Sequence, residues 1–447
     1  MSPSSIRRQS GQALIRRLYS LGFTLAFLLA LPYFLFQALR HRKYLSSLSE
    51  RLGTLPTEIG KGPAGGIWVH AVSVGEVLSV LPLIKQIERR WPGRPLFLST
   101  TSRTGQALAR KNRQGLAGVF HFPLDWKFAV RRSLDQVRPS LVLILETEIW
   151  PNFLHECRQR GIPVCLANGR ISDRSFRKYR RFRRWLPWAV SLFDCCCMQD
   201  AVDRERIIFL GAPPDKVEVC GNLKYEIEPP RQLHSRLAQF RSLMQLSSTP
   251  FLVVAGSTRS NEETPVLSAF RSLQRECPQA RLLLAPRHPG RCAEVEQLLT
   301  SQAFRFVKRS ELSDMVIPND ESPPAEVILL DTLGELPVLY ALADLVFVGG
   351  SLIPWGGHNL LEPALFKKPV LFGPHMNNFR EMARHFMQAE AGIMVQNGVE
   401  LGERFIELFR DGASRRRLGA NGYRIIRANQ GAGARILDRV AGVLSQK

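Results

Sequence analysis

Short apolar runs alternate with longer amphipathic stretches along most of the chain. In the first half, five runs have the composition of buried strands: GIWVHAV from residue 66, PLFLST from 95, LVLILE from 141, IPVCLAN from 162 and DCCCMQ from 194. The stretches between them, such as residues 80–90 and 106–113, have the apolar spacing of helices. Strands of this length separated by helices predict a parallel sheet that is covered on both faces.

The same alternation starts again after EIEPPRQ (residues 226–232), whose two prolines favour an interdomain linker. The strand candidates of the second half are PFLVVAGS, ARLLLAPRH, EVILLD, DLVFVGG and KPVLFGP. We therefore expect an α/β protein with two doubly wound, Rossmann-like domains, at residues 46–228 and 229–447. Ligands of such folds bind at the carboxyl ends of the strands, here in an interdomain cleft.

An uncharged apolar run, Leu21–Leu39, precedes both domains and has basic residues on each side. As a helix it would be roughly 28 Å long, close to the thickness of the hydrocarbon core of a bilayer. Because Arg40 follows directly, without a small-residue cleavage site, an uncleaved membrane anchor within residues 1–45 is expected. A helix buried in the protein core is the alternative. The basic flanks on both sides leave the orientation open.

The formal net charge of +22 and a pI of about 10.3 indicate anionic partners. Seven basic residues and several aromatic ones fall within Arg174–Val190, RSFRKYRRFRRWLPWAV. A basic amphipathic helix of this kind suits an anionic membrane surface. Binding of an RNA backbone, or a solvated face over an ordinary core stripe, would use the same composition.

The cysteine and histidine positions bear on redox state and metals. The eight cysteines include Cys195–Cys197 in a row and form neither a CxxC pair nor a disulfide framework, so reduced thiols in a cytosolic compartment are expected. The nine histidines show no metal-ligand spacing. Neither a bound metal nor another cofactor is expected.

Polar residues collect where the predicted strands end, for example at Gly75–Glu76, Glu146–Glu148 and Asn168–Arg170. Two glycine-bearing turns, AGSTRSNEE and GGSLIPWGGHNLLEPA, are expected to offer backbone N–H groups to a phosphate. Glu362, in a helix opened by His358 and Asn359, is expected to accept hydrogen bonds from ribose hydroxyls. Neither a Walker loop nor GxGxxG follows a strand, so a nucleotide with a sugar attached is the favoured ligand.

The carboxylates at the strand ends allow more than one interpretation. Glu76 is either a helix N-terminal residue that complements the macrodipole or a catalytic group at the mouth of the sheet. Glu146 and Glu148, two residues apart, would point the same way on an extended strand. A metal-binding acidic pair is therefore an alternative to a catalytic role for Glu146.

Taken in order, HAVSVGEV, ETEIWPN, NGRISDRS, GNLKYE, AGSTRSNEE, APRHPGR, DTLGELPVLY and GGSLIPWGGHNLLEPA make the chain resemble the Kdo (3-deoxy-D-manno-octulosonic acid) transferase family. This resemblance implies a GT-B glycosyltransferase on the cytoplasmic face of the inner membrane, held by a single-pass anchor. It also implies inverting transfer of Kdo from CMP-Kdo to the lipid A precursor, lipid IVA, in lipopolysaccharide synthesis.

The resemblance places the family's general base on Glu76 and its transition-state stabilisers on Glu146 and Lys224. The CMP contacts that it implies are Pro286, Arg287, Leu333, Gly334, Glu335, Asn359, Leu360, Leu361 and Glu362. CMP-Kdo is then a co-substrate, and neither a metal nor a nucleic acid is needed. The alternatives are another membrane-associated GT-B enzyme that uses a UDP-sugar, and a basic membrane-associated protein that binds nucleic acid.

Overall fold

The computed structural model describes residues 14–32, 45–60, 62–183, 185–230, 232–244, 251–312 and 325–445. The chain divides into two compact units. Unit 1 comprises Met1–Glu226 and Asn429–Lys447, and unit 2 comprises Ile227–Ala428.

Seven strands form the sheet of unit 1: β1 Ile67–His70, β2 Leu96–Thr100, β3 Gly118–His121, β4 Leu141–Leu145, β5 Val164–Gly169, β6 Cys195–Met198 and β7 Val217–Val219. Seven more form the sheet of unit 2: β8 Leu252–Thr258, β9 Arg281–Pro286, β10 Phe306–Lys308, β11 Val327–Leu329, β12 Leu345–Val348, β13 Val370–Phe372 and β14 Gly392–Met394.

The helices that precede β8 are α1 Leu14–Pro32, α2 Leu45–Arg51, α3 Thr57–Gly60, α4 Val74–Arg90, α5 Arg103–Lys111, α6 Lys127–Val137, α7 Pro151–Gln159, α8 Asp173–Arg181, α9 Leu186–Val190, α10 Ala201–Phe209 and α11 Leu233–Leu243. Those that follow it are α12 Glu263–Glu276, α13 Cys292–Ser301, α14 Leu336–Leu339, α15 Leu361–Ala364, α16 Arg380–Gln388, α17 Gly398–Arg410, α18 Gly412–Asn429 and α19 Ala432–Ser445.

Both sheets are parallel and doubly wound. Their orders are β3-β2-β1-β4-β5-β6-β7 and β10-β11-β9-β8-β12-β13-β14. In unit 1 the winding reverses between β1 and β4, and in unit 2 between β8 and β12, which makes these two gaps the topological switch points where such sheets bind ligands. The predicted α/β class is confirmed.

The five central strands of unit 1, β1, β2, β4, β5 and β6, are buried on both faces, which explains why they read as continuous apolar runs. On one face Trp68 packs its ring against Phe120 and Phe153, at centroid distances of 5.1 and 5.2 Å. On the other face Val69 belongs to a cluster that includes Val80 of α4. All eight cysteines of the chain are free and buried.

The last helix belongs to unit 1. Residues 229–447 had been expected to form one domain, but α19 buries Ile436, Leu437 and Val440 in the same core as α4 and β5. The reason is local packing: apolar positions on α19 cover the face of β5 and β6 that α4 leaves open.

Helix α1 has 19 residues and a mean hydropathy of 1.6, and its surface is not buried. By length and composition it could cross a membrane. It overlaps the predicted anchor Leu21–Leu39, of which residues 33–39 lie outside the described residues. Ser20 donates to the side-chain oxygen of Asn152 (3.1 Å), and the Trp126 indole donates to Thr24 (3.1 Å), so α1 lies against unit 1.

The basic stretch Arg174–Val190 is not one helix: α8 ends at Arg181 and α9 begins at Leu186. Phe176 and Tyr179 pack against the core, whereas Phe182 and Trp185, in the connection, are 60% and 47% exposed.

Candidate active site

Glu76 lies in the first turn of α4, directly after β1. Ser73 caps the helix by accepting from the Glu76 N–H (3.4 Å), and its hydroxyl donates to Glu76 Oε1 (3.0 Å). The Val72 N–H donates to Oε2 (2.8 Å). These bonds hold the carboxylate back over the start of its own helix, where 8% of Glu76 is exposed. The helix N-terminal interpretation of Glu76 thus describes how the side chain is held.

Glu146 follows β4, the strand beside β1, so the two glutamates flank the switch point of unit 1. The strand ends at Leu145, and Glu146 has a left-handed φ of 57°. The premise that Glu146 and Glu148 lie on an extended strand is therefore wrong, because the chain turns at Glu146. Among the described residues, no group of three or more His, Cys, Asp or Glu side chains could hold a metal ion.

The surroundings at this carboxyl edge of the sheet shift the pKa of Glu76. Burial is the main cause that raises the pKa of Glu76 to about 7; the charges of Glu146 and Glu148 also raise it, and the Val72 N–H and the Ser73 hydroxyl lower it. Burial and the charge of Glu146 also raise the pKa of Glu148. A carboxylate with a pKa near neutrality suits general acid–base catalysis at cytosolic pH.

Lys224 lies in a short 3-10 turn, Leu223–Tyr225, after β7. The turn is tied to β5, because the Leu223 N–H donates to Asn168 Oδ1 (2.9 Å). Asn168 adjoins Ala167, whose carbonyl accepts from the Glu146 N–H (3.1 Å). Within the described ranges, the Lys224 ammonium makes no hydrogen bond or ion pair. The structure thus gathers Glu76, Glu146 and the Lys224 turn at the carboxyl edge of unit 1.

In unit 2, Pro286 ends β9 and Arg287 follows it, exposed and without a side-chain partner in the described part of the chain. Arg259, after β8, lies 3.0 Å (Nη1) from His288 Nε2. Burial together with the charges of Arg287 and Arg259 lowers the pKa of His358 to about 4. Basic groups that lower one another's pKa in this way would be stabilised by a bound anion.

The segment Asn359–Glu362 enters α15, where Leu360 and Leu361 are buried. Asn359 Oδ1 accepts from the Leu361 N–H (3.1 Å), and Asn359 Nδ2 donates to Glu362 (3.5 Å). Burial raises the pKa of Glu362, against the bond from Asn359 and the charge of Arg287, which lower it. The helix begins at Leu361, so His358 and Asn359 precede it and Glu362 is its second residue.

Leu333–Glu335 form the turn before α14. Gly334 has φ 83°, a conformation that glycine adopts without strain, and Leu333 is 76% exposed. The Glu335 carboxylate accepts from Arg309 Nη2 (3.2 Å) and from the Thr332 hydroxyl. The side chain of Glu335 is therefore engaged within unit 2, while the backbone of Leu333 and Gly334 is exposed.

Sequence reasoning missed Glu262, which lies just before α12 and is fully buried. Its carboxylate accepts four backbone N–H groups, those of Arg259 (3.1 Å), Gly350 (2.6 Å), Ser351 (2.9 Å) and Leu352 (2.9 Å). Glu262 therefore already occupies these four amides of the two glycine-bearing turns, and they are not open to a phosphate; the turn at Gly356–Gly357 is not among its donors. The signal in the sequence is that Glu262 is itself one of the two glutamates that end AGSTRSNEE.

Comparisons with known proteins agree with this geometry. Residues 46–227 match the family model described as 3-deoxy-D-manno-octulosonic-acid transferase (kdotransferase). A 3-deoxy-D-manno-octulosonic acid transferase of Haemophilus influenzae is 34% identical over 397 residues, which cover 89% of this chain and 91% of the relative. One of Bordetella pertussis is 31% identical and covers 84% and 86%.

Two solved structures share the fold at low sequence identity. The UDP-GlcNAc 2-epimerase of Neisseria meningitidis bound to UDP-GlcNAc has a TM-score of 0.52 and 13% identity, and the match covers 86% of this chain and all of that one. HepE of Anabaena in complex with UDP has a TM-score of 0.50 and 16% identity, with the same coverage. At these identities the likeness concerns the fold alone, and it agrees with a GT-B architecture.

Proposed function

Since this chain belongs to the family of Kdo transferases, which are glycosyltransferases, we propose that it transfers Kdo from CMP-Kdo to the lipid A precursor, lipid IVA, with inversion at the anomeric carbon. The observation that supports this most directly is the state of Glu76: a carboxylate at the switch point of unit 1 whose pKa is raised to about 7.

Glu76 is the general base of the proposed reaction. It takes the proton of the acceptor hydroxyl as that oxygen bonds to the anomeric carbon, while the carbon–oxygen bond to the CMP phosphate breaks and its electron pair leaves with the phosphate. Within the part of the chain that the structure describes, two donors occupy the carboxylate, from Val72 and Ser73. Because a carboxylate has about four acceptor positions, room is left for the acceptor hydroxyl.

Glu146 and Lys224 stabilise the charges that develop. The sugar becomes oxocarbenium-like in such transfers, and the carboxylate of Glu146 favours that positive charge. The departing phosphate gains negative charge, which the ammonium of Lys224 stabilises. The absence of a partner for this ammonium within the described residues supports the assignment.

Unit 2 holds the donor in this proposal. Arg287, with Pro286 beside it, binds the phosphate of CMP, and the Glu362 carboxylate accepts hydrogen bonds from the ribose hydroxyls. The exposed backbone of Leu333–Glu335 and the turn Asn359–Leu361 complete the CMP contacts. CMP-Kdo is a co-substrate, and we propose that the transfer proceeds without a bound metal.

The body is held at the cytoplasmic face of the inner membrane by α1, as a single-pass protein. The exposed Phe182 and Trp185, together with the basic face of α8, contact anionic lipid. Tyr179 of α8 donates to the Thr147 carbonyl (3.5 Å) in the loop that begins at Glu146, which supports delivery of a lipid acceptor to this corner.

The test is transfer of Kdo from CMP-Kdo to lipid IVA by the unmodified chain and by Glu76→Ala, with EDTA present. We expect transfer to fall at least ~100-fold, the contribution of a positioned base. The affinity for CMP and the thermal midpoint should stay close to those of the unmodified chain. UMP binding, measured in parallel, should be weaker than CMP binding.

Three outcomes would contradict parts of the proposal. If Glu76→Ala is only less stable, the carboxylate is a helix N-terminal residue and the base lies elsewhere. If the unmodified chain binds UMP in preference and transfers from a UDP-sugar, the donor is wrong. Loss of transfer in EDTA, restored by a divalent cation, would show that a metal is required.

A further inference from the structure

The turn that carries Lys224 has little support from its own backbone. It is three residues long and follows β7, a three-residue strand at the edge of the sheet. Its internal hydrogen bonds are those from Tyr225 N–H to the Asn222 carbonyl (3.1 Å) and from Glu226 N–H to the Leu223 carbonyl (3.0 Å). A lysine on such a turn needs other groups to fix the position of its Cα.

Asn168 supplies the first of these groups. It lies at the end of β5, two strands away from β7, with φ 55° and no exposed surface. Its Oδ1 accepts from the Leu223 N–H at 2.9 Å. Its Nδ2 has no hydrogen-bond partner among the described residues, so what the side chain gives to the fold is this one acceptor.

Gln199 and Asn222 close a chain of hydrogen bonds to the same turn. Gln199 Nε2 donates to the Asn168 carbonyl (3.0 Å), and Gln199 Oε1 accepts from Asn222 Nδ2 (2.8 Å). Asn222 Oδ1 in turn accepts from the Lys224 N–H (2.9 Å). Two successive backbone N–H groups, those of Leu223 and Lys224, are thus fixed by side chains of one connected network.

We propose that Asn168, Gln199 and Asn222 are positioning residues for Lys224, and that they set the rate of transfer through it. This inference rests on the proposed function, in which Lys224 stabilises the departing phosphate. Electrostatic stabilisation depends on a preorganised charge, and a displacement of about 1 Å can cost ~100-fold in rate. The network provides that precision because its connected hydrogen bonds, one of them to the buried Asn168, restrain both N–H groups of the turn.

The ends of the segment are held independently of the network. Arg435 of α19 donates from Nε to the Cys220 carbonyl (2.8 Å), and the Gly433 N–H donates to the Glu226 carboxylate (3.2 Å). Removal of the Asn168 side chain should therefore loosen the middle of residues 220–226 without unfolding unit 1.

The test uses the full chain with Asn168→Gly, because glycine accepts the left-handed backbone at this position, so the side chain and its acceptor are removed without backbone strain. Transfer of Kdo, CMP affinity and amide hydrogen exchange of residues 220–226 are measured. We expect kcat to fall about 10- to 100-fold, with CMP affinity within about 2-fold, and exchange in this segment to become at least ~10-fold faster. Asn112→Gly, at the C-terminus of α5, is the matched control and should change none of these.

A double-mutant cycle with Lys224→Ala separates positioning from a general structural role. If Asn168 acts through Lys224, Asn168→Gly should have no further effect on kcat in the Lys224→Ala background. Asn222→Asp, which keeps the acceptor for the Lys224 N–H, should retain more activity than Asn222→Ala.

Unchanged exchange in Asn168→Gly would overturn the network, and an equal loss of kcat in the Lys224→Ala background would overturn its action through Lys224. If the unmodified chain transfers no Kdo, the proposed function fails. The exchange measurement then still decides whether the network holds the turn, but the turn has no catalytic consequence in that reaction.

Discussion

Glu76 and Glu262 occupy corresponding places in two sheets of the same winding, yet their carboxylates have opposite surroundings. Each glutamate follows the first strand of its unit and lies at the switch point. Glu262 accepts four backbone N–H groups from two loops, and Glu76 accepts one backbone N–H and one hydroxyl from the start of its own helix. Among the described residues no donor occupies the other two acceptor positions of Glu76, so the same place in the fold is structural in unit 2 and, in the proposed function, catalytic in unit 1.

The largest difference should appear in stability. Glu262→Ala leaves four buried N–H groups without an acceptor, and we expect the free energy of unfolding of unit 2 to fall by about 4 kcal/mol. Glu76→Ala removes an N-terminal interaction of α4 and should cost about 1 kcal/mol. Urea unfolding followed by hydrogen exchange in each unit measures both. Equal losses for the two variants would remove the distinction between a structural and a catalytic carboxylate.

A second contrast is between two arginines of unit 2. Arg287 has no side-chain partner in the described ranges, whereas Arg291 pairs with Glu263 (2.7 Å) and Glu294 (3.0 Å). Arg287→Ala should weaken CMP binding by about 10- to 100-fold, the value of a charge-assisted hydrogen bond, with little change in stability.

Arg291→Ala is the matched control for Arg287. We expect it to lower the thermal midpoint, because Glu263 is then left buried without its cation, and to change CMP affinity by less than about 3-fold. Calorimetric titration with CMP measures the affinities. Weaker binding in both variants to the same extent would indicate a general effect of net charge.

The smallest effects concern the pH dependence that the surroundings of Glu76 create. A base with a pKa of about 7 acts only when it is deprotonated, so kcat/KM should fall about tenfold per pH unit below 7 and level off above it. The falling part of the profile below the pKa is its acid limb. Glu146→Gln removes a negative charge that raises this pKa, so the acid limb should move to lower pH. Ser73→Ala removes a donor that lowers the pKa, and the limb should move to higher pH.

Each shift should be below about one pH unit, because burial is the larger cause of the raised pKa. Ser73→Ala should in addition cost about 1 kcal/mol, the value of a helix cap. Profiles of kcat/KM between pH 5 and 9 show the position of the limb even where the overall rate is reduced. Movement of both variants in the same direction would mean that the limb reports another group.

The apolar runs of the sequence predicted the central strands of both sheets but not the edge strands. None of the predicted strands corresponds to an edge strand, and the four edge strands are β3, β7, β10 and β14. They are three or four residues long and partly exposed, so they lack the continuous apolar run that burial on both faces imposes on the central strands.

The candidate site divides in a similar way. Glu76 and Glu146 could be found because they stand directly after strong strands, and parallel strands end at one edge. The Leu223 N–H donates to Asn168, and the N–H groups of Gly350–Leu352 donate to Glu262. These bonds join residues 55 to 90 positions apart, so no local pattern encodes them. Lys224 was found through its resemblance to a family motif, since the turn around it carries no other signal.

The return of α19 to unit 1 has a consequence for the order in which the protein is made. Unit 2 is, in effect, inserted between Glu226 and Asn429, so the ribosome completes it before the last helix of unit 1 exists. Until α19 has been synthesised, the apolar face that includes Cys165, Cys195 and Cys197 lacks the cover of Ile436 and Val440. We therefore expect unit 2 to be able to fold before unit 1 is complete, which would reverse the usual N-to-C order of domain folding.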